Sequence, residues 1–242
     1  MSAFEQQLEY VKLRHMTGID RWHDAGYLGQ DLKIFCDDVG GKHVEHVVDI
    51  LEVIVPEAEI LTGKIGYRIR YGSVVESFVH YDKTGETIDF DNFMKRHEIR
   101  LINNSTTGSG GPAVSPIGAF MRTKIDQYNI IMTASAGNGY GQPINTNYYG
   151  AAILVTSVQL NDAGRIVNSK CAEDGGIDFS MFYGPMPGTS YSSPFLLGMI
   201  GLLLGKYPRM NQKEVYQYLK EHCISLGIRE IFGHGLPILG QV

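Results

Sequence analysis

Continuous apolar runs alternate along this chain with segments whose apolar residues recur at helical spacing. The runs LKIFC (Leu32–Cys36), NIIMTAS (Asn129–Ser135) and AAILVTSV (Ala151–Val158) contain few charged residues, which is typical of strands buried on both faces. HVEHVVDILEVI (His43–Ile54) has apolar residues three and four positions apart, as a helix that covers a sheet does. The alternation predicts an α/β fold, a sandwich with a mostly parallel central sheet.

Other segments add detail to this prediction. Residues Ile65–Tyr81 alternate like a strand, although the pattern leaves their place in the fold open. Ser115 precedes a proline and an apolar-periodic stretch, so it is predicted to cap a helix. We expect another helix from Pro194, and one more from Asn211, which opens a capping-box pattern.

Composition and charge narrow the class of protein. The 242 residues include 43% hydrophobic and 19% charged residues, which fits one packed domain spanning residues 1–242. The net charge of −5 provides no basic face for nucleic acid or an anionic membrane. The longest apolar run, FLLGMIGLLLG, has fewer than the ~20 residues that span a bilayer.

The amino-terminal residues and the cysteines indicate the cellular compartment of the protein. The first fifteen residues contain no apolar stretch of the signal-peptide kind. Cys36, Cys171 and Cys223 are an odd, sparse set without metal-ligand spacing. We therefore expect a cytoplasmic protein with reduced thiols and no bound metal, with export by a non-classical route as the alternative.

Three short segments carry side chains suited to catalysis. GTSYSSP presents Ser190 before the predicted helix, where backbone N–H groups and the helix dipole stabilise an oxyanion. DDVGGKHVEH places Asp37 and Asp38 at a strand end and His43 at a helix start. TASAGNGYG places Asn138 between two glycines after another strand. Each segment also has a structural interpretation: a helix cap, a pair of ordinary or metal-binding histidines, and a turn, respectively.

Together these segments resemble the subtilisin-like serine proteases. GTSYSSPFLLG is similar to the family's nucleophile motif, and SAGNGYG to its oxyanion-asparagine motif. LKIFCDDVG resembles the strand that ends in the catalytic aspartate, and HVEHVVDI resembles the histidine helix. The order Asp, His, Ser is that of subtilisins. The resemblance runs from about Trp22 to Gly240 and implies a three-layer subtilisin-like sandwich.

The resemblance also implies roles for individual residues. Asp38 would orient His43, which would act as the base for the nucleophile Ser190, with Asn138 as oxyanion donor. Asn103 to Thr107 would form an edge strand that pairs with extended substrate, and Ala134 to Gly137 would line the opposite wall. The predicted substrate-binding residues are Asn103, Asn104, Ser105, Thr106, Thr107, Ala134, Ser135, Ala136 and Gly137.

The chain departs from the family pattern in three respects. Only five positions separate Asp38 from His43, where the usual enzyme has some thirty, so an intervening strand and loop are missing. The loop that inserts into the histidine helix and binds calcium in the family has no counterpart, which predicts no calcium and no other cofactor. Residues 1–15 are too short for the family's large prodomain. They are either a short inhibitory extension or an arm packed on the surface.

The sequence therefore predicts a serine endopeptidase that acts on proteins or peptides, with neither nucleic acid nor membrane as a partner. The shortened connection between acid and histidine supports an alternative, a catalytically impaired module that binds peptides. A different α/β enzyme, such as a nucleotide-binding protein, is disfavoured because no glycine-rich phosphate loop follows a strand. The oligomeric state stays open.

Overall fold

A computed structural model describes residues 11–38, 40–106, 108, 113–139, 144–169, 176–183 and 187–242. In chain order the elements are α1 (Ile19–Asp24), β1 (Lys33–Asp37), α2 (Lys42–Ile54), β2 (Glu59–Arg70), β3 (Ser73–Tyr81), β4 (Glu86–Asp89), α3 (Phe90–His97), β5 (Leu101–Asn104), α4 (Pro116–Tyr128), β6 (Ile131–Ser135), β7 (Ile153–Leu160), β8 (Ile166–Asn168), β9 (Phe179–Phe182), α5 (Thr189–Lys206), α6 (Gln212–Glu221), β10 (Cys223–Ile224), α7 (Arg229–Phe232) and β11 (Leu236–Pro237). Residues 11–17 are also helical.

Nine of these strands form one mixed sheet. Its order is β4-β3-β2-β1-β5-β6-β7-β8, and β9 also pairs with β7. β1 pairs in parallel with β2 and with β5, and β6 pairs in parallel with β5 and with β7. β7 also pairs in parallel with β9. The chain moves from β1 to β2 on one side and later to β5 on the other side of β1. The strand order therefore reverses at the β1–β5 pair, where open α/β sheets bind their ligands.

Two apolar layers cover the sheet, as the three-layer prediction requires. One layer contains α2 and α5, with Ile54, Phe195 and Leu203 fully buried. The other contains α3 and α4, with Phe93 and Met121 fully buried. The predicted α/β sandwich with a mostly parallel sheet is therefore confirmed.

The central helix α5 begins earlier than the sequence indicates. We expected it from Pro194, but it starts at Thr189 and contains Pro194. Proline removes an N–H and leaves the carbonyl four residues before it without a helical donor. That carbonyl belongs to Ser190, and it accepts instead from Ser105 Oγ at 2.6 Å. The tertiary contact replaces the missing helical bond, so the helix continues through the proline.

The segment Ile65–Tyr81 is a hairpin. β2 pairs with β1 only as far as Gly63 and with β3 as far as Arg70, so the hairpin extends past the carboxyl end of β1. Its two-residue turn contains Tyr71 at φ 51° and Gly72 at φ 75°, the left-handed conformations that favour tight hairpins. The short strand β9 was not predicted, because four buried residues are too few to show a period.

Two predicted helix caps are confirmed. Ser115 Oγ accepts from the N–H of Gly118 at the start of α4. Asn211 and Glu214 form the complete capping box of α6. Local side-chain chemistry therefore sets these two helix starts.

The amino-terminal arm is described only from residue 11 onward. Leu13 lies in the core with 2% of its surface exposed, and Arg14 pairs with Asp20 at 2.8 Å. The described part of the arm thus packs on the domain. Residues 1–10 of the predicted extension over residues 1–15 lie outside the described residues.

We predict that Gly198→Ala destabilises the fold. A Cβ at Gly198 would lie 2.8 Å from Ile54 Cγ2, so α2 and α5 would have to separate. Overpacking of this kind costs about 1–3 kcal/mol, more than the roughly 1 kcal/mol gained from the helix preference of alanine. Urea unfolding measures the loss. Because Ile54→Ala removes the opposing methyl groups, the double variant should lose less than the sum of the single variants. Additive losses would contradict this contact.

Candidate active site

Two adjacent aspartates at the end of β1 have different surroundings. The Asp38 carboxylate Oδ2 lies 2.8 Å from His43 Nδ1. The backbone N–H of Asp38 donates to the carbonyl of Gly63 in β2. Asp37 turns to the other side, where it is fully buried. It accepts from the N–H of Ile65 and from the side chains of Asn104 and Tyr148, and it pairs with Lys64 at 3.1 Å. Only Asp38 is therefore positioned to orient a histidine.

Two glycines allow the short connection between Asp38 and His43 to bring the two side chains together. Gly40 and Gly41 have φ values of 83° and 70°, which residues with a Cβ adopt reluctantly. The turn places His43 as the second residue of α2. Asp38 and His43 consequently meet although the strand and loop between them are absent.

The hydrogen bond to Asp38 raises the pKa of His43 above its ordinary value of 6.5, against the opposing effect of partial burial. A nearby carboxylate stabilises the imidazolium. The pair therefore stabilises the fold most at pH below 6.5, and this contribution is lost as pH rises through the raised pKa. Since Nδ1 faces Asp38, Nε2 is the nitrogen left for proton transfer. The side chain of His43 is 32% exposed.

Ser190 lies in the first turn of α5, close to the end of β5. Its Oγ donates to the carbonyl of Ser105 at 2.9 Å, while Ser105 Oγ donates to the carbonyl of Ser190. These two bonds connect Ser190, the candidate nucleophile, to the carboxyl end of β5. The Ser190 hydroxyl is bonded to Ser105 and not to His43 in this structure. The Ser190 hydroxyl would have to break its bond to Ser105 before its proton could pass to His43.

Asn138 caps the same helix from outside. Its Oδ1 accepts from the N–H of Thr189 at 2.8 Å, because Gly188 adopts φ 145° and turns the chain toward it. The amide Nδ2 donates to none of the described residues. The cap thus orients the amide group with a free donor at the start of α5, beside Ser190.

The predicted substrate-binding strand is partly wrong. β5 is paired on both sides, with β1 and with β6, so Asn103 and Asn104 do not form an edge. Both are buried, and Asn103 accepts from Ser193 at 2.8 Å. Central strands expose no backbone donors or acceptors. Asn103 and Asn104 therefore form hydrogen bonds inside the protein. Ser105 contacts Ser190. Thr107 lies outside the described residues.

The opposite predicted wall is buried as well. Ala134 and Ser135 belong to β6, and Ala136 donates to β7 through its backbone. Gly137 exchanges hydrogen bonds with the Thr189 side chain. These residues support the start of α5, and each is buried in this structure.

A free strand edge does exist, but β2 provides it. Residues 64–70 of β2 pair with β3 on one side, and no described strand pairs with their other side, where the Ile65 N–H donates to the Asp37 side chain. A cavity of about 310 Å³ adjoins this edge. It is lined by Lys64, Ile65, Tyr67, Asn104, Thr106, Gly108, Ile117, Asn147 and Tyr148.

Tyr191 was not predicted as a site residue. Its ring centroid lies 5.5 Å from that of His43. The sequence did contain a signal, since Tyr191 directly follows Ser190 in the segment that resembles the nucleophile motif. A large aromatic residue there changes the surroundings of the histidine.

Among the described residues, no group of three or more His, Cys, Asp or Glu side chains could hold a metal ion. His46 lies 3.6 Å from Asp49 on the exposed side of α2. No helix in the described ranges is long and apolar enough to cross a membrane.

Comparisons with known proteins agree with this architecture. Subtilisin DY from Bacillus licheniformis is 24% identical over 257 residues, covering 90% of this chain and 92% of that protein. Fervidolysin from Fervidobacterium pennivorans, a keratinolytic enzyme related to subtilisin, has a TM-score of 0.59 at 15% identity. The prenylagaramide maturation protease PagA has a TM-score of 0.62 at 13% identity, covering 91% of this chain and 95% of that structure.

The match to fervidolysin covers 87% of this chain but only 42% of that structure, so the chain spans less than half of it. No protein-family model matches the chain. The chain is thus similar in sequence to subtilisin and has the subtilisin-like fold.

We predict that Asp38→Asn lowers the pKa of His43 toward 6.5, because the neutral amide no longer stabilises the imidazolium. An NMR titration of the His43 ring protons measures the midpoint. Asp49→Asn makes the same change on the exposed side of α2, beside His46, and should leave the His43 midpoint unchanged. An unchanged midpoint in Asp38→Asn would show that the 2.8 Å bond does not form in solution.

Proposed function

We propose that this chain with the subtilisin-like fold is a serine endopeptidase that uses Asp38, His43 and Ser190. The observation that carries the proposal is the 2.8 Å bond between Asp38 and His43, formed across a connection of only five positions. The likeness to subtilisin along 90% of the chain supports the same interpretation.

In the proposed reaction, His43 Nε2 takes the proton of Ser190 Oγ while Oγ bonds to the peptide carbonyl carbon. The carbonyl π electrons move to its oxygen, and Asn138 Nδ2 and the Ser190 N–H stabilise that oxyanion. When the electrons return, the C–N bond breaks and the leaving amine takes the proton from His43. Water then attacks the acyl-enzyme by the same steps, releasing the acid and restoring Ser190.

Extended substrate would pair with the free edge of β2, across the cleft from Thr106. Backbone groups of an open strand edge bind a peptide by adding a strand. The adjoining cavity of about 310 Å³ is large enough for a side chain. The binding edge predicted at residues 103–107 therefore moves in our proposal to residues 64–70.

The alternative is an inactive module that binds peptides. The bond between Ser190 Oγ and the Ser105 carbonyl favours it, because this bond engages the hydroxyl proton that His43 would have to take. Such a module would still bind peptides along the β2 edge and would not react with serine-directed reagents. The following experiment separates the two functions.

We predict that a fluorophosphonate probe labels the protein and that Ser190→Ala abolishes labelling. Ser192→Ala is the matched control, since Ser192 Oγ is buried without a hydrogen-bond partner and its loss leaves no group unpaired. Mass spectrometry locates the adduct. If the unaltered protein is not labelled under conditions that label subtilisin, endopeptidase activity is the wrong function.

We predict that Asn138→Asp lowers kcat about 10²–10³-fold, the usual effect of removing one oxyanion donor. Aspartate keeps the oxygen that caps Thr189 but lacks the amide donor, so the melting temperature should stay close to that of the parent protein. Asn138→Ala loses both groups and should also lose about 1 kcal/mol of helix-cap stability. Full activity in Asn138→Asp would exclude Asn138 as the donor.

A further inference from the structure

Tyr191 directly follows the proposed nucleophile and packs on the histidine. It is 8% exposed, with its ring centroid 5.5 Å from His43 at an interplanar angle of 42°. The same ring lies 6.3 Å from His46, nearly edge to face. One aromatic side chain of α5 thus contacts both histidines of α2.

The His43 imidazole makes one side-chain hydrogen bond to the described residues. Its Nδ1 bonds to Asp38, and its side chain is 32% exposed. A single hydrogen bond lets a ring rotate about the bond axis, and the preceding turn contains Gly40 and Gly41. A general base must hold its free nitrogen in one direction to meet the nucleophile.

We propose that Tyr191 is a positioning residue whose ring holds the His43 imidazole on the Asp38 carboxylate. The inference rests on the proposed function of His43 as the base. The aromatic face restricts the plane of the imidazole, and Asp38 restricts its direction. In this way the first turn of α5 provides both the nucleophile and a support for the base.

The effect acts through contact and not through charge. Burial, and secondarily the Asp38 carboxylate, raise the pKa of Tyr191 above 10, so its hydroxyl stays neutral near pH 7. Asp38 faces the imidazole from the end of β1. His46 lies across the Tyr191 ring and is paired with Asp49. None of these charges changes when Tyr191 is replaced by another uncharged residue.

Tyr191→Leu and Tyr191→Phe test the proposal. Leucine fills the buried site without an aromatic face, so the bond to Asp38 should loosen and the His43 pKa should fall toward 6.5. The labelling rate with the fluorophosphonate probe should fall about 10–100-fold, the usual effect of a misplaced catalytic group. Phenylalanine keeps the ring, so both the His43 titration and the labelling rate should match the unaltered protein.

Phe195→Leu is the matched control, because Phe195 is a buried aromatic residue one turn further along α5. It should leave the His43 titration and the labelling rate unchanged. If Tyr191→Leu does not fold, as judged by circular dichroism, Tyr191→Met replaces it with a flexible side chain of similar length. Leucine or methionine variants that titrate and react like the parent would overturn the proposal.

Two other outcomes are also decisive. A Tyr191→Phe variant as impaired as Tyr191→Leu would assign the effect to the hydroxyl and overturn positioning by the ring. The NMR titration needs no catalytic activity. A parent protein that resists the probe would therefore contradict the proposed function, while the titrations would still decide whether Tyr191 holds His43.

Discussion

The burial of α5 is the constraint on which the site depends. This helix is buried from Thr189 to Leu204, because apolar residues surround its axis and must be covered on all sides. The sheet lies along one side and α2 along another. Since the helix cannot shift within this packing, its first turn is held at the carboxyl edge of the sheet. The position of Ser190 thus follows from apolar contacts far from the site.

Polar contacts then fix that first turn in detail. Pro194 leaves the Ser190 carbonyl without a helical donor, and Ser105 supplies one. Asn138 supplies the cap that Gly188 lacks. Both partners lie at the ends of neighbouring parallel strands, β5 and β6. The sheet therefore satisfies the backbone groups of the helix start, and the same contacts place Ser105 and Asn138 at the first turn of α5.

The short connection between acid and base changes what supports the base. In this chain the two glycines allow His43 to meet Asp38 directly, without an intervening strand. The space beside the imidazole is occupied by Tyr191 from α5 and leaves part of the ring exposed. The extended hairpin of β2 and β3 provides an open strand edge at the same end of the sheet.

The sequence alone determined the α/β class, the caps at Ser115 and Asn211 and the candidate catalytic residues, because these depend on local patterns and short motifs. Only the tertiary structure decided that Asp37 turns away from the histidine into a buried network, and that β5 lies in the middle of the sheet. It also decided that α5 continues through Pro194. Each of these depends on groups far apart in the chain, since strand order and a distant hydroxyl leave no periodic signal in the residues themselves.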